Sequence, residues 1–158
     1  EEGLKTLILN PSLIIGKASK SKYNLLNIAQ ANYSFYPSGT NGFVGLDDVI
    51  DICVKALDKS FSGEKFILNS ENLSYKEVFE QINPKLVKKK LFSRMNSTKV
   101  NLSWRINQFR NVIFGAKPFL TKEIYNFHKK DFHYSNEKAS KAFDFKFTPI
   151  SKVIEELK

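Results

Sequence analysis

Two pairs of residues have the spacing Tyr-x-x-x-Lys, Tyr125 with Lys129 and Tyr134 with Lys138. On one helix face that spacing lets a lysine lower the tyrosine pKa and hold a sugar hydroxyl while the phenol passes a proton. Six tyrosines and 22 lysines in 158 residues make about one such match expected by chance, so spacing alone makes neither pair catalytic. Gly39, Gly42 and Gly45 form G-x-x-G-x-x-G, which in the right setting brings backbone amides against a pyrophosphate. That setting is a preceding buried strand, and Pro37 breaks the run before Gly39. Asp47 and Asp48 would also place negative charge at the helix end meant for phosphate. These two acids could act as an acid–base pair, but capping a helix N-terminus explains them better. Ser12 has no motif linking it to a histidine or an acid, so it is not read as a nucleophile. With His128 and His133 the only histidines and Cys53 the only cysteine, neither a zinc site nor an internal disulfide is expected. No catalytic residue and no metal ligand is assigned.

The elements that must position any site begin with the bulk of the chain. A chain of 158 residues with 42% hydrophobic and 26% charged content suits one domain, residues 1–158, with a real core. No apolar run approaches the roughly 18 residues needed to cross a bilayer, and no secretory leader is visible, so a soluble protein of the reducing cytoplasm is expected, with no membrane partner. The opening Glu1-Glu2 runs almost at once into an apolar stretch, as the middle of a protein would. The net charge of +9 raises the question of a polyanion. Only Lys85, Lys88, Lys89 and Lys90 cluster densely, however, and three arginines are few for a base reader. A solvated lysine-rich surface is the better account, and nucleic acid is not expected.

Residues 4–9 (LKTLIL) suit a strand buried on both faces of a parallel sheet, ended by Asn10-Pro11. Residues 10–22 read as a loop with a small apolar insert, residues 23–31 as a helix, and Phe43-Val44 as a very short strand. Val49, Ile50, Cys53, Val54 and Leu57 then share one helix face, with Asp47 or Asp48 as the N-cap. Residues 65–68 (KFIL) make a further strand, and Ser74 with Glu77 makes a capping box for a helix that Pro84 stops. Helices are also expected over residues 98–114, where Trp104 is core or groove lining, after Leu120, after Ser135 and at Thr148-Pro149. Two or three short strands cannot satisfy their own edges, so the remaining strands must come from elsewhere.

Five landmarks occur in order: LKTLILNPSLIIG at residues 4–16, NGFVGLDDV at 41–49, GEKFIL at 63–68, YSNEK at 134–138 and FKFTP at 145–149. Together they resemble the second half of NAD-dependent epimerase/dehydratase enzymes, the extended short-chain dehydrogenase/reductases, most closely the dihydroflavonol-reductase-like branch. The resemblance spans essentially the whole chain. It implies an α/β fold: the C-terminal strands of a Rossmann-like parallel sheet plus a mostly helical substrate-binding subdomain. It implies NAD or NADP as cofactor of the full-length parent, with none bound by this part alone. The phosphate loop, the ribose selector and the family's Tyr/Lys pair would lie in an N-terminal dinucleotide-binding half, the missing partner.

By the same resemblance Pro11, Ser12 and Leu13 face the cofactor, and Ile14, Ile15, Lys22 and Phe43 lie on the side of a small-molecule substrate. Ligands of open α/β sheets bind beyond the carboxyl ends of the strands, where residues 10–16 would sit. The expected parent reaction is hydride transfer between a nicotinamide and a carbonyl or alcohol carbon, with the exposed sheet edge open to self-association. Two other readings compete. A basic polyanion-binding module would use Lys85 to Arg94 on an inherited reductase scaffold, and an intact small enzyme would use the Gly39 loop.

Overall fold

The apolar run at residues 4–9 becomes strand β1 (Leu7–Pro11) in a computed structural model of the protein. The structure describes residues 6–17, 35–36, 38–58, 61, 63–84, 93–94 and 130–157. In chain order the other elements are β2 (Leu13–Ile15), β3 (Phe35–Tyr36), β4 (Thr40–Gly45), α1 (Leu46–Asp58), β5 (Glu64–Leu68), β6 (Glu71–Ser74), α2 (Tyr75–Ile82), β7 (Ser93–Arg94), α3 (Glu137–Phe143) and α4 (Ile150–Glu156). Residues 1–28, 41–73 and 132–158 form one compact unit, and residues 29–40 and 74–131 form another.

In the first unit β1 and β5 pair in parallel, with Leu7 opposite Glu64 and Pro11 opposite Leu68. A second parallel pairing sets Leu13 to Ile15 of β2 against Phe43 to Gly45 of β4, and β4 lies between β2 and β6. The architecture is therefore the mixed α/β one with parallel strands that the sequence implies. Residues 13–15, expected inside a loop, form a strand because Phe43 to Gly45 supply the backbone partners, which no local pattern discloses. For the same reason β4 is six residues long, not the two of Phe43-Val44.

Inward side chains of the parallel pair build the core. Phe66 and Leu68 join Val44, Ile52, Ala139, Phe143 and Phe147 in one buried cluster, with Leu7, Leu9 and Phe61 packed against it. Phe61, Phe66 and Phe143 meet edge to face with centroids 5.0 to 5.2 Å apart, the arrangement that sets ring edges against ring faces. The opposite face of the pair is open. Ile8 is 43% and Ile67 39% exposed, so β1 is covered on one face only, against the expectation of burial on both.

Helix α1 carries apolar residues on two sides, and of the face expected from the spacing only Val49 turns toward the core. Ile52 is fully buried, with Val49 and Ala56 partly so, while Ile50, Val54 and Leu57 are 49%, 57% and 85% exposed and Cys53 is exposed as well. Apolar residues on both sides of a helix satisfy the periodicity twice, and packing chooses between them. Asp47 and Asp48 do lie in the first turn, but Asp48 is buried and bonded to Thr148, so capping is not its role.

α3 starts where expected, after Ser135, whose hydroxyl accepts from Glu137 N at 3.3 Å. α4 departs from expectation: Thr148 gives its hydroxyl to Asp48 and does not cap, Pro149 occupies the N-cap position, and Ile150 N donates to the Glu71 carboxylate at 2.7 Å. In the second unit the capping box stands as expected. Ser74 Oγ accepts from Glu77 N at 3.2 Å and Ser74 N donates to the Glu77 carboxylate at 2.8 Å. Hydrogen bonds from the Ser74 side chain and backbone hold the Glu77 carboxyl below its ordinary range. Asn83 closes α2 just before Pro84, and β3 pairs in parallel with β7. The helices expected over residues 23–31, over 98–114 with Trp104, and after Leu120 lie outside the described residues.

Phe143→Ala removes a ring from the centre of the aromatic trio and is expected to cost about 3–5 kcal/mol, whereas Leu57→Ala on the open face of α1 should stay within about 0.5 kcal/mol. Urea denaturation of both variants measures the contrast.

Candidate functional site

Parallel pairing brings the carboxyl ends of β1 and β5 to one edge. The ladder ends with Pro11 opposite Leu68, and one residue further Ser12 N donates to Leu68 O at 2.9 Å. Ser12 and Asn69 thus emerge side by side. Asn69 is 2% exposed, and its amide nitrogen donates to Asn72 Oδ1 at 3.3 Å and to Tyr134 O at 3.2 Å. Two acceptors around that nitrogen fix which way the amide points. Its oxygen is consequently turned to the other side, where both Asn69 Oδ1 and Ser12 Oγ are buried without a hydrogen-bond partner. Each unpaired buried group costs about 1–3 kcal/mol, which marks this edge as a place where stability is not maximised.

Gly42 makes that convergence sterically feasible. A methyl group on its Cα would lie 2.7 Å from Tyr134 Cδ2 and 3.0 Å from Ser12 Cβ, and closer still to Asn69 Oδ1. Asn72 holds Tyr134 from both sides, accepting from Tyr134 N at 3.0 Å and donating to Tyr134 O at 2.9 Å. Three successive residues, the two between β5 and β6 and the first of β6, then bond to the C-terminal segment. Asn69 O accepts from Asn136 Nδ2 at 2.7 Å, Ser70 Oγ donates to Thr148 O, and Glu71 takes Ile150 N. Thr148 in turn donates through N and Oγ1 to the two oxygens of Asp48, both at 2.8 Å. Burial pushes the Asp48 carboxyl above its usual range, opposed by the hydrogen bonds from Thr148 and reinforced by Asp51 and Asp47.

The edge is built from amides, hydroxyls and backbone. Such groups bind and orient a polar ligand but exchange no proton at neutral pH. Pro11 is exposed, Ser12 and Leu13 are half-buried, and Ile14 is 42% exposed. Ile15 and Phe43 are 0% exposed, so their side chains pack inside. Lys22 lies outside the described residues, as do Lys85, Lys88, Lys89, Lys90, Tyr125 and Lys129. Lys138 is engaged elsewhere than with a tyrosine: its ammonium meets Glu64 at 2.6 Å and Lys65 O at 3.0 Å, and stands 4.8 Å over the Phe66 ring. Gly42 and Gly45 lie within β4, where Gly42 N donates to Asn41 Oδ1 at 2.8 Å, and Asp48 closes off the start of α1. That arrangement does not cradle a phosphate. Among the described residues no group of three or more His, Cys, Asp or Glu could hold a metal, and no helix is long and apolar enough to cross a membrane. Sequence reasoning missed Asn69, Asn72 and Asn136; the one available signal was an asparagine directly after a buried strand.

No family model matches the chain. Over 85 residues, 51% of its length, it is 31% identical to tetraketide alpha-pyrone reductase 2 of Arabidopsis thaliana, of which the match spans 26%. In fold it is similar to a nucleoside-diphosphate-sugar epimerase from Pseudomonas aeruginosa, at 16% identity and a TM-score of 0.65, covering 97% of this chain and 46% of that one. It is also similar to dTDP-glucose 4,6-dehydratase from Bacillus anthracis, solved in complex with NAD, at 13% identity and a TM-score of 0.60, covering 94% and 43%. The chain therefore spans under half the length of these solved structures. These likenesses support the resemblance to extended short-chain dehydrogenase/reductases, and the fold is the Rossmann-like α/β one of such enzymes.

Gly42→Ala has no room for its methyl group and is expected to cost about 1–3 kcal/mol through displacement of Tyr134 or Asn69. A thermal melt alongside Gly63→Ala tests the cause, because Gly63 has open space but a φ of 75°, so its cost is backbone strain alone.

Proposed function

We propose that this chain is the C-terminal, substrate-side part of an NAD(P)-dependent reductase or epimerase/dehydratase, acting with a dinucleotide-binding half that it does not itself contain. The observation that carries this is the polar edge at the carboxyl ends of β1 and β5, where ligands of open parallel sheets bind. Pro11, Ser12 and Leu13 remain accessible there, as a cofactor-side turn must, and Ile14 extends the same turn toward the substrate side, while Ile15 and Phe43 would support it from inside. A nicotinamide would supply hydride to, or accept it from, a carbonyl or alcohol carbon. The chain's own residues would orient and dehydrate that ligand, and the proton would be handled by a tyrosine in the other half.

Two uncovered apolar surfaces support an absent companion: Ile8 with Ile67 on the open face of the parallel pair, and Ile50, Cys53, Val54 and Leu57 on α1. Among the described residues β1 and β5 pair only with each other, which leaves an edge able to recruit another strand. The exposed free thiol of Cys53 fits a reducing cytoplasm.

Titration of the 158-residue chain with NADH and NADPH, followed by nucleotide fluorescence and thermal shift, is expected to give no binding at millimolar nucleotide. Micromolar binding by the chain alone would sink the proposal. In sedimentation the chain is expected to self-associate through its open edge as concentration rises, and a monomer throughout would count against that role for the edge.

A further inference from the structure

An acid in the first turn of a helix is ordinarily an exposed partner of the free amides, yet Asp48 is 5% exposed and bonds to a residue one hundred positions away. We propose that Asp48 and Thr148 form a buried clasp that positions the carboxyl edge of β1 and β5, with Asp48 as a positioning residue and neither a helix cap nor an acid–base group. The functional part of this inference rests on the reading of that edge given above.

A path of hydrogen bonds inside the first unit leads from Asp48 to that edge. Asp48 Oδ2 accepts from Thr148 N and Oδ1 from Thr148 Oγ1, so residue 148 is fixed at two points of its own. Its carbonyl receives Ser70 Oγ, and Ser70 N donates to Phe43 O at 2.8 Å. Ser70 is joined directly to Asn69, and the carbonyl of Leu68 receives Ser12 N at 2.9 Å. The buried carboxylate is thus linked by consecutive bonds to Ser12 and Asn69, whose side-chain oxygens are buried and unpaired. A solvent-exposed cap lost by mutation is replaced by water; a two-bond clasp at 5% exposure is not.

Charge adds a pH signature. Asp51 and Asp47 lie on the same helix, residues 144–149 carry exposed Asp144 and Lys146, α4 carries exposed Lys152, Glu155 and Glu156, and β6 carries Glu71, which is held by Ile150 N. Burial raises the folded carboxyl above its unfolded value, so the stability linked to this group is present below the unfolded pKa and is lost as pH rises through the folded pKa. Protonation keeps the clasp closed: Oδ2 still accepts from Thr148 N, while the acid hydroxyl donates to Thr148 Oγ1 in reverse.

The test uses the 158-residue chain without nucleotide, so its outcome is independent of the NADH titration. Asp48→Asn keeps an acceptor for Thr148, and the stability of the wild type relative to it should decline as pH rises through the carboxylate range. Asp48→Ala and Thr148→Val should speed amide exchange about tenfold or more at Ser70 and Ser12, not only at Thr148, and Thr148→Ser should restore protection. If Ser70 and Ser12 keep their protection while Thr148 and the first turn of α1 alone exchange faster, Asp48 is a local cap and the proposal fails. A wild-type advantage over Asp48→Asn that grows with pH would overturn the pH part. Should Asp48→Ala not fold, Thr148→Val with its serine rescue decides the matter.

Discussion

Parallel pairing of β1 with β5 is the constraint from which most of the first unit follows. Two parallel strands cannot be joined by a tight turn, so the chain between them must leave the pair and return, and β2, β4 and α1 occupy that excursion. Parallel pairing also aligns the two carboxyl ends. That alignment, and no feature of Ser12 or Asn69 themselves, sets a hydroxyl and an amide side by side beyond the ladder. Antiparallel pairing would have sent them to opposite ends.

The edge is stabilised from the C-terminal side. Phe143 and Ala139 of α3 fill the inward face of the pair, while Asn136, Thr148 and Ile150 take up Asn69, Ser70 and Glu71 one after another. Apolar packing supplies most of the free energy, and the polar seam supplies direction, since a hydrogen bond is worth about 1 kcal/mol net but is costly to leave unmade. Within a seam where almost every group is paired, the unpaired atoms of Ser12 and Asn69 stand out. They sit where an α/β protein places its ligand, and such sites commonly trade stability for function.

Surfaces tell the complementary half of the story. Helix α1 has one buried and one open apolar stripe, and the strand pair is covered on one side, so both leave apolar surface of the kind that interfaces use. The solved structures of similar fold are about twice as long, the chain covering 46% and 43% of two of them.

Much was legible from residues alone. The existence of strands at the two apolar runs, the Ser74 and Glu77 box, and the serine before α3 are short-range signals with short-range causes, so they persist in the fold. The ordered landmarks carried the family resemblance for the same reason. The choice between the two stripes of α1, the extension of β4, the strand at Leu13–Ile15 and the engagement of Asp48 with Thr148 each depend on a partner far along the chain. Periodicity records that a face is apolar but not what will cover it, and an aspartate looks the same whether it caps its own helix or clasps a distant threonine. Sequence determined which local pieces form; tertiary structure decided which of their faces and polar groups meet, because burial and hydrogen bonding are properties of contacts and not of residues.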